Sequence, residues 1–155
     1  MSHPKCYLFD LNGTLIFRTK SKNTPPELHI RPHTLELLKY LSTKNSGTTR
    51  IYIATSMIYK NVVPILNYIY PQWNTIISGI FDNAYTIQAP TKEYPYRTLR
   101  NVRKIAYKLN MRTTDLTFVD NDLYKYPRGI TNVIIVSSYT GNPEDSELSQ
   151  VFKFL

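Results

Sequence analysis

The stretch Tyr-Leu-Phe-Asp-Leu-Asn-Gly-Thr-Leu, residues 7–15, carries most of the information about the fold. Its apolar start predicts a buried strand, and Gly13 predicts a sharp turn directly after that strand. Asp10 is therefore expected at the mouth of a sheet, where a carboxylate can attack phosphorus or bind a hard cation. A strand that ends on an aspartate by chance has the same pattern, so the rest of the chain must separate the two interpretations.

Length and composition indicate one folded domain. The chain has 155 residues, of which 42% are apolar, with 13 tyrosines and 6 phenylalanines, enough for a hydrophobic core. We expect no membrane span, since no apolar run approaches ~20 residues, and no secretion signal. Cys6 is the single cysteine, which excludes an internal disulfide and a thiolate zinc site. We therefore expect one domain over residues 1–155 in a reducing compartment, cytoplasmic or nuclear.

The charge of the chain is strongly basic, with a net charge of +8 and a pI near 9.5. This balance favours acidic partners, namely nucleic acid, phosphorylated protein or an anionic membrane surface. The basic residues are spread along the chain, with a modest concentration between residues 97 and 112. Solubility alone would account for the same charge, so the charge does not select a partner.

The alternation of apolar and polar segments predicts strands that alternate with helices. Strands are expected at residues 7–11, 51–54, 116–119 and 133–136, with shorter strands near 81–83 and 85–87. Helices are expected at residues 32–41, 59–68, 96–110 and 147–154, and polar loops at 18–30, 44–49 and 91–95. This order is typical of a Rossmann-like three-layer α/β/α domain with a mainly parallel sheet. No large cap domain is expected, because residues 75–95 allow only a small insert.

Three of the predicted strands end on polar side chains. The first has Asp10 at its end, the second ends on Thr55-Ser56 and the third on Asp120-Asn121-Asp122. Right-handed crossovers between parallel strands place the carboxyl ends of the strands at the same edge of the sheet. Ligands bind beyond these ends, so these residues are expected to share one site. The oxygens of Asp10, Asp120 and Asn121 suit Mg²⁺, and the Thr55 hydroxyl can bind a phosphoryl oxygen.

Several motifs resemble those of known phosphotransferases. Residues 10–15 resemble the first motif of the haloacid dehalogenase-like superfamily, Asp-x-Asp-Gly-Thr-Leu. More narrowly, the chain is similar to the NLI-interacting-factor-like family, which includes small phosphatases that act on the C-terminal domain of RNA polymerase II. The segments that carry this resemblance are Arg31-Pro32, Thr55-Ser56-Met57 with the helix after it, Phe118-Val119-Asp120-Asn121, and residues 145–148 with the closing helix. The resemblance covers nearly the whole chain in the same order.

The resemblance implies a Mg²⁺-dependent phosphomonoester hydrolase. Asp10 would be the nucleophile and form an aspartyl-phosphate, which water then hydrolyses. Thr55, with its neighbour Ser56, would bind the phosphate. The metal would be held by Asp10, the backbone carbonyl of Asn12, Asp120 and Asn121.

A lysine is expected to neutralise the charge that develops on the transferred phosphoryl group. Lys104 precedes Asp120 by 16 positions, close to the spacing in the family. However, the helix predicted over residues 96–110 would place Lys104 about 9–10 Å from the end that faces the site, at 1.5 Å per residue. Lys92 lies in the loop before that helix and is better placed. We therefore prefer Lys92 and keep Lys104 as the alternative.

Asn12 departs from the family, which has an aspartate there to protonate the leaving group and activate water. A carboxamide cannot transfer a proton, and general acid–base catalysis contributes roughly 10²–10⁴-fold. Three interpretations remain open. The protein is a natural phosphatase of low activity, a phosphoprotein-binding module on an inactive scaffold, or an enzyme engineered to trap a complex.

An uncapped site would be open to a phosphorylated macromolecule. The first hypothesis is a protein that carries phosphoserine or phosphothreonine, and the alternative is a polynucleotide end, which the basic charge would suit. Trp73 and the many tyrosines are expected in the core or at its rim rather than as platforms for base stacking, although Tyr94-Pro95-Tyr96, near Lys92, could line a substrate groove. His29 and His33 lack acidic or histidine neighbours in a cluster, so we assign them no metal.

Overall fold

The apolar run that begins at Cys6 forms the central strand of the sheet. The computed structural model describes residues 5–19, 23–25, 27–44, 48–69, 72–73, 75–129 and 132–155. In chain order, the strands are β1 (Cys6–Phe9), β2 (Ile16–Arg18), β3 (Leu28–Ile30), β4 (Arg50–Ala54), β5 (Gly79–Phe81), β6 (Thr86–Gln88), β7 (Thr98–Arg100), β8 (Leu116–Asp120) and β9 (Asn132–Ile135). The α-helices are α1 (Thr34–Thr43), α2 (Tyr59–Ile69), α3 (Val102–Leu109) and α4 (Glu147–Val151).

Five strands form one sheet in the order β5-β4-β1-β8-β9, and each neighbouring pair is parallel. Alternate residues of β1 face opposite sides, so Tyr7 and Phe9 belong to one apolar cluster and Cys6 and Leu8 to another. The first cluster includes residues of α1, α2 and α4, and the second includes residues of α3. Helices therefore cover both faces, and the predicted three-layer α/β/α class with a mainly parallel sheet is confirmed.

Two short antiparallel hairpins lie outside this sheet. β2 pairs with β3, and β6 pairs with β7. The loop predicted for residues 18–30 is therefore wrong at both ends. Arg18 lies in β2 and residues 28–30 form β3, and these two strands pair across the first hairpin. The middle of that prediction, residues 20–22 and 26, lies outside the described residues. The second hairpin begins within residues 75–95, where the sequence allows a small insert, but its second strand lies in the segment that was predicted to be helical.

The helix predicted over residues 96–110 begins later than expected. β7 occupies its first residues, and α3 starts at Val102, after Asn101, whose side chain accepts a hydrogen bond from the Lys104 backbone N–H (3.2 Å). The spacing of Leu99 from Val102 and Ile105 fits one apolar face of a helix, but Leu99 lies in β7 and pairs with β6 instead. Lys104 therefore lies in the first turn of α3, and the distance argument against it was wrong.

The other predicted elements lie within two residues of the observed ones, except that the closing helix is shorter. α4 ends at Val151 and is followed by a 3₁₀ turn at Phe152–Phe154. Trp73 is 1% exposed and belongs to the core, as predicted. The same prediction was wrong for Tyr68, Tyr96, Tyr107 and Tyr124, which are 72–94% exposed. None of the helices formed by the described residues is both long enough and apolar enough to cross a membrane.

A buried arginine joins the segment after β1 to the chain before α4. The Arg31 side chain binds Asp145 at two points, with Nε 2.8 Å from Oδ1 and Nη2 3.1 Å from Oδ2. Its Nη1 donates to the backbone carbonyl of Thr14 (3.2 Å). Partial burial raises the pKa of Asp145, but the hydrogen bonds and charge of Arg31 outweigh this and hold the pKa below its ordinary value. Arg31 thus fixes the turn that follows Asp10.

Candidate active site

Asp10 and Asp120 meet at the carboxyl edge of the sheet. β1 and β8 are parallel neighbours, with Phe9 opposite Val119, and the Asp10 backbone N–H donates to the Val119 carbonyl (3.0 Å). The two aspartates are only 3% and 0% exposed. Arg100 connects them, since its Nη2 lies 3.0 Å from Asp10 Oδ1 and 3.7 Å from Asp120 Oδ2. Two buried carboxylates therefore share one guanidinium group.

The turn after β1 depends on Gly13. This residue has φ = +85°, and a Cβ there would lie 2.6 Å from the side-chain amide of Asn121. A side chain at this position would be strained and would also displace the amide. The next residue, Thr14, donates a hydrogen bond from Oγ1 to Asp10 Oδ2 (3.0 Å). The Gly-Thr pair of the motif therefore brings the chain close to Asn121 and orients the Asp10 carboxylate.

The amide of Asn121 lies between the two carboxylates and Ser138. With its nitrogen toward the carboxylates, it donates to Asp120 Oδ1 (3.0 Å) and Asp10 Oδ2 (3.1 Å), and its oxygen accepts from Ser138 Oγ (3.0 Å). In the opposite orientation its nitrogen donates to Ser138 Oγ (3.0 Å). Carboxylates without a cation favour the first orientation, because an amide oxygen would repel them. A metal ligand needs the second, so the amide would turn when a cation binds.

Two cations that the sequence analysis did not predict lie beside the carboxylates. Arg100 is 2% exposed, and its Nε is buried without a hydrogen-bond partner among the described residues. Lys125 Nζ lies 3.9 Å from Asp10 Oδ1 and 4.0 Å from Asp120 Oδ1. Arg100 was missed because it lies in the segment that was predicted to be helical. A residue inside a helix is not expected at the end of a strand, where it could reach the site. Lys125 follows Asp120 by five positions, a proximity that could have suggested it.

The two predicted lysines lie elsewhere. Lys92 is exposed in the loop between β6 and β7. Lys104 Nζ donates to the Ala84 carbonyl (2.7 Å) and lies 4.7 Å from the centre of the Tyr85 ring. Within the described residues, neither lysine forms an ion pair with Asp10, whereas Arg100 and Lys125 lie beside it. A catalytic role for Lys92 or Lys104 stays a prediction.

Thr55 lies at the same edge of the sheet, at the end of the neighbouring strand β4. Its backbone N–H donates to the Phe81 carbonyl (2.9 Å), and its Oγ1 accepts from the Met57 N–H (3.1 Å). The hydroxyl proton is still available for a phosphoryl oxygen. Ser56 and Asn12 are exposed at the surface. The phosphate-binding and catalytic roles of these three residues stay predictions.

Burial and mutual repulsion make Asp10 a weak acid in the folded protein. Burial and the charge of Asp120 raise the pKa of Asp10 to about 7, although Lys125, Arg100 and the Thr14 hydrogen bond lower it. Asp120 also accepts a hydrogen bond from the Tyr126 hydroxyl (2.6 Å), and burial raises the pKa of Tyr126 well above its ordinary value. Further positive charge at this site would favour an ionised Asp10.

The donor atoms at this site fit a hard divalent cation. The described residues contain no cluster of three or more His, Cys, Asp and Glu side chains that could hold a metal. A metal here would therefore use the Asp10 and Asp120 carboxylates with amide, backbone or water oxygens. Mg²⁺ is commonly held in this way, by one or two carboxylates and several waters. His29 and His33 instead lie beside Glu27 and Glu36, respectively.

The fold is similar to that of known phosphatases. The fission yeast RNA polymerase II CTD phosphatase Fcp1 matches with a TM-score of 0.62 and 13% identity, over 95% of this chain and 45% of that chain. The core domain of a Streptococcus pneumoniae protein assigned as a phosphoglycolate phosphatase matches with a TM-score of 0.54 and 16% identity, over 99% of this chain and 98% of that one. This chain thus spans less than half of the Fcp1 chain. At these identities the two matches show a shared fold.

A family model for NLI interacting factor-like phosphatases matches residues 5–155, and the chain belongs to this family. The resemblance and the enzyme class predicted from the sequence, a phosphatase, are therefore confirmed. No curated protein matches the sequence significantly.

The raised pKa of Asp10 predicts that the metal-free protein loses stability as the pH rises. Between about pH 4 and pH 7 the unfolded chain loses the Asp10 proton while the folded chain keeps it, so the free energy of unfolding falls across this window. The Asp10 proton contributes at most about 4 kcal/mol to the free energy of unfolding. This contribution is fully present below about pH 4 and is lost above about pH 7.

Urea unfolding with EDTA across this pH range measures the effect. Asp10→Asn should flatten the decline relative to the parent, whereas the exposed control Glu144→Gln should not. The same decline in Asp10→Asn would contradict the assignment.

Proposed function

We propose that this protein hydrolyses phosphomonoesters through an aspartyl-phosphate on Asp10, with phosphoserine or phosphothreonine in a protein as the substrate. The observation that carries the proposal is the buried Asp10 carboxylate, which lies at the carboxyl edge of a parallel sheet beside Asp120 and Arg100. Membership of the phosphatase family supports the reaction. The similar fold of a CTD phosphatase supports a phosphoprotein substrate.

The proposed reaction has two displacement steps at phosphorus. An Asp10 carboxylate oxygen attacks the phosphorus, and the bond from phosphorus to the serine or threonine oxygen breaks. The leaving oxygen takes a proton from solvent, because Asn12 has none to give. Water then attacks the phosphorus of the aspartyl-phosphate, loses a proton, and releases inorganic phosphate with Asp10 restored. Thr14 orients Asp10, and the hydroxyls of Thr55 and Ser56 bind the phosphoryl oxygens.

Mg²⁺ is the proposed cofactor. It would be held by Asp10, the backbone carbonyl of Asn12, Asp120 and Asn121. When bound, it would neutralise the paired carboxylates and the phosphoryl oxygens. The weak acidity of Asp10 supports this assignment, since added positive charge would favour the ionised nucleophile.

Arg100 is the proposed cation for the phosphoryl group, in place of Lys92 or Lys104. Its buried guanidinium already contacts Asp10, and its planar group of donors suits an anionic oxygen pair. Lys125, which is partly exposed at the rim, would add a second charge.

Asn12 favours a second candidate function, a phosphoprotein-binding module with little or no turnover. Such a module would keep the phosphate and metal contacts but lack the proton transfer. We also propose an intracellular location, since the sequence has a single cysteine and therefore no internal disulfide.

Turnover of p-nitrophenyl phosphate with and without Mg²⁺ tests the proposed reaction. The parent should turn over only with Mg²⁺, and Asp10→Asn should be inactive because the nucleophile is gone. Mg²⁺ should also raise the melting temperature of the parent by mass action, but not that of Asp10→Ala. The exposed control Glu144→Gln should match the parent in both assays. A Mg²⁺ response that persists in Asp10→Ala would exclude this metal site.

Substitution of the cations tests which one stabilises the phosphoryl group. Arg100→Ala should reduce turnover at least about tenfold, because negative charge develops on the phosphoryl oxygens. Arg100→Lys should recover part of the loss, and Lys92→Ala and Lys104→Ala should change turnover little. The readouts are kcat and KM, with melting temperature as a check on folding. A larger loss in either lysine variant would restore the lysine predicted from the sequence.

Asn12→Asp tests the missing proton transfer. If the site is otherwise complete, this change should raise turnover by roughly 10- to 10³-fold, the range of a positioned acid–base group. Activity measured between pH 5 and 8 should then depend on pH in a way that the parent does not, because a carboxyl group now titrates. Mg²⁺ affinity should change little, since the proposed ligand is a backbone carbonyl. No gain would favour the binding module.

A further inference from the structure

A groove of about 1020 Å³ opens beside the proposed active site. Residues 91–98, at the tip of the β6–β7 hairpin, form one wall. The other wall is the segment after β8, with Asp122, Tyr124 and Lys125. Arg97 Nη2 donates to the Tyr124 carbonyl (2.7 Å) and so ties the two walls together. Lys125 Nζ also lies 3.9 Å from Asp10 Oδ1, so the groove is adjacent to the buried carboxylates.

The groove displays three tyrosine side chains that packing does not explain. Tyr94, Tyr96 and Tyr124 are 60%, 94% and 76% exposed, respectively. Aromatic rings bury large areas when they serve the core, so three exposed rings around one groove indicate a binding surface. Exposed rings of this kind are stacking platforms for nucleic-acid bases, with little dependence on base sequence.

The charges of the groove favour an anionic ligand. Lys92, Arg97 and Lys125 contribute three positive charges, against the negative charges of Glu93 and Asp122. The net charge of +8 on the whole chain adds a long-range attraction for polyanions. Cations interleaved with aromatic rings are the combination that binds single strands, since the cations follow the backbone while the rings stack on the bases.

We propose that this groove, formed by residues 91–98 with Asp122, Tyr124 and Lys125, binds single-stranded nucleic acid. The bases stack on the tyrosines, and the backbone phosphates pair with Lys92 and Arg97. A duplex hides its base faces and gains only the charge contacts. A phosphopeptide likewise uses the charges but has no series of rings to stack. This surface goes beyond the proposed hydrolysis, because binding there requires no phosphoryl transfer.

Fluorescence anisotropy with a labelled oligothymidylate and full-length protein tests the proposal. The parent should bind, and Tyr94→Ser/Tyr96→Ser should weaken binding at least about tenfold, in line with the loss of two stacked bases. Tyr107→Ser is the matched control, since Tyr107 is 89% exposed on α3, away from the groove lining. It should bind like the parent. Equal losses in both variants, or no binding by the parent, would overturn the proposal.

Salt and competition distinguish the ligand classes. The affinity for the oligonucleotide should fall as the salt concentration rises. Lys92→Ser should remove one phosphate contact and so reduce the steepness of log K against log salt by about 1. Lys108→Ser should leave this slope unchanged. Unlabelled single strand should compete far better than duplex or a phosphoserine peptide. Stronger competition by the peptide would assign the groove to protein substrates instead.

Turnover of p-nitrophenyl phosphate separates this proposal from the proposed function. This small ester has no strand to lie in the groove, so its turnover reports hydrolysis, whereas the oligonucleotide affinity reports the groove. Turnover without strand binding in the parent would refute the groove alone. Strand binding without turnover would refute the hydrolase alone.

Discussion

The burial of two carboxylates at one point is the constraint on which the site depends. Asp10 and Asp120 end adjacent parallel strands and are almost inaccessible to solvent, so their repulsion is poorly screened. Positive charge must approach from outside the sheet to offset it. Arg100 supplies this charge from the β6–β7 hairpin and Lys125 from the turn after β8. Both segments are thus drawn against the edge of the sheet where a substrate would enter.

A second buried charge supports the turn that follows Asp10. Arg31 reaches the Thr14 carbonyl, and Thr14 in turn orients Asp10. Because Arg31 is fully paired with Asp145, the position of this turn depends on a segment far away in sequence. Gly13 lets the chain pass close to Asn121, so the first and last motifs of the site contact each other. The precise placement of Asp10 is therefore a property of the whole domain.

The β6–β7 hairpin joins two features that concern function. Its final residue, Arg100, contacts Asp10, and its tip provides one wall of the aromatic and basic groove. A ligand held at the tip would therefore be close to the chemistry without any large cap. The side chain of Asn12 matters only for the proposed proton transfer, so the proposed recognition and the proposed hydrolysis can be examined separately.

The alternation of strands and helices can be read from the sequence, and so can the meeting of Asp10 and Asp120. Each depends on local periodicity and on the rule that parallel strands present their carboxyl ends at one edge. Which cations join the two carboxylates depends on tertiary packing. By its spacing, Leu99 fits the apolar face of a helix, and the strand that contains it forms only through pairing with β6. Its neighbour Arg100 therefore could not be recognised from the sequence as a residue of the site. Ion pairs between distant residues depend on side-chain direction, which local patterns do not encode.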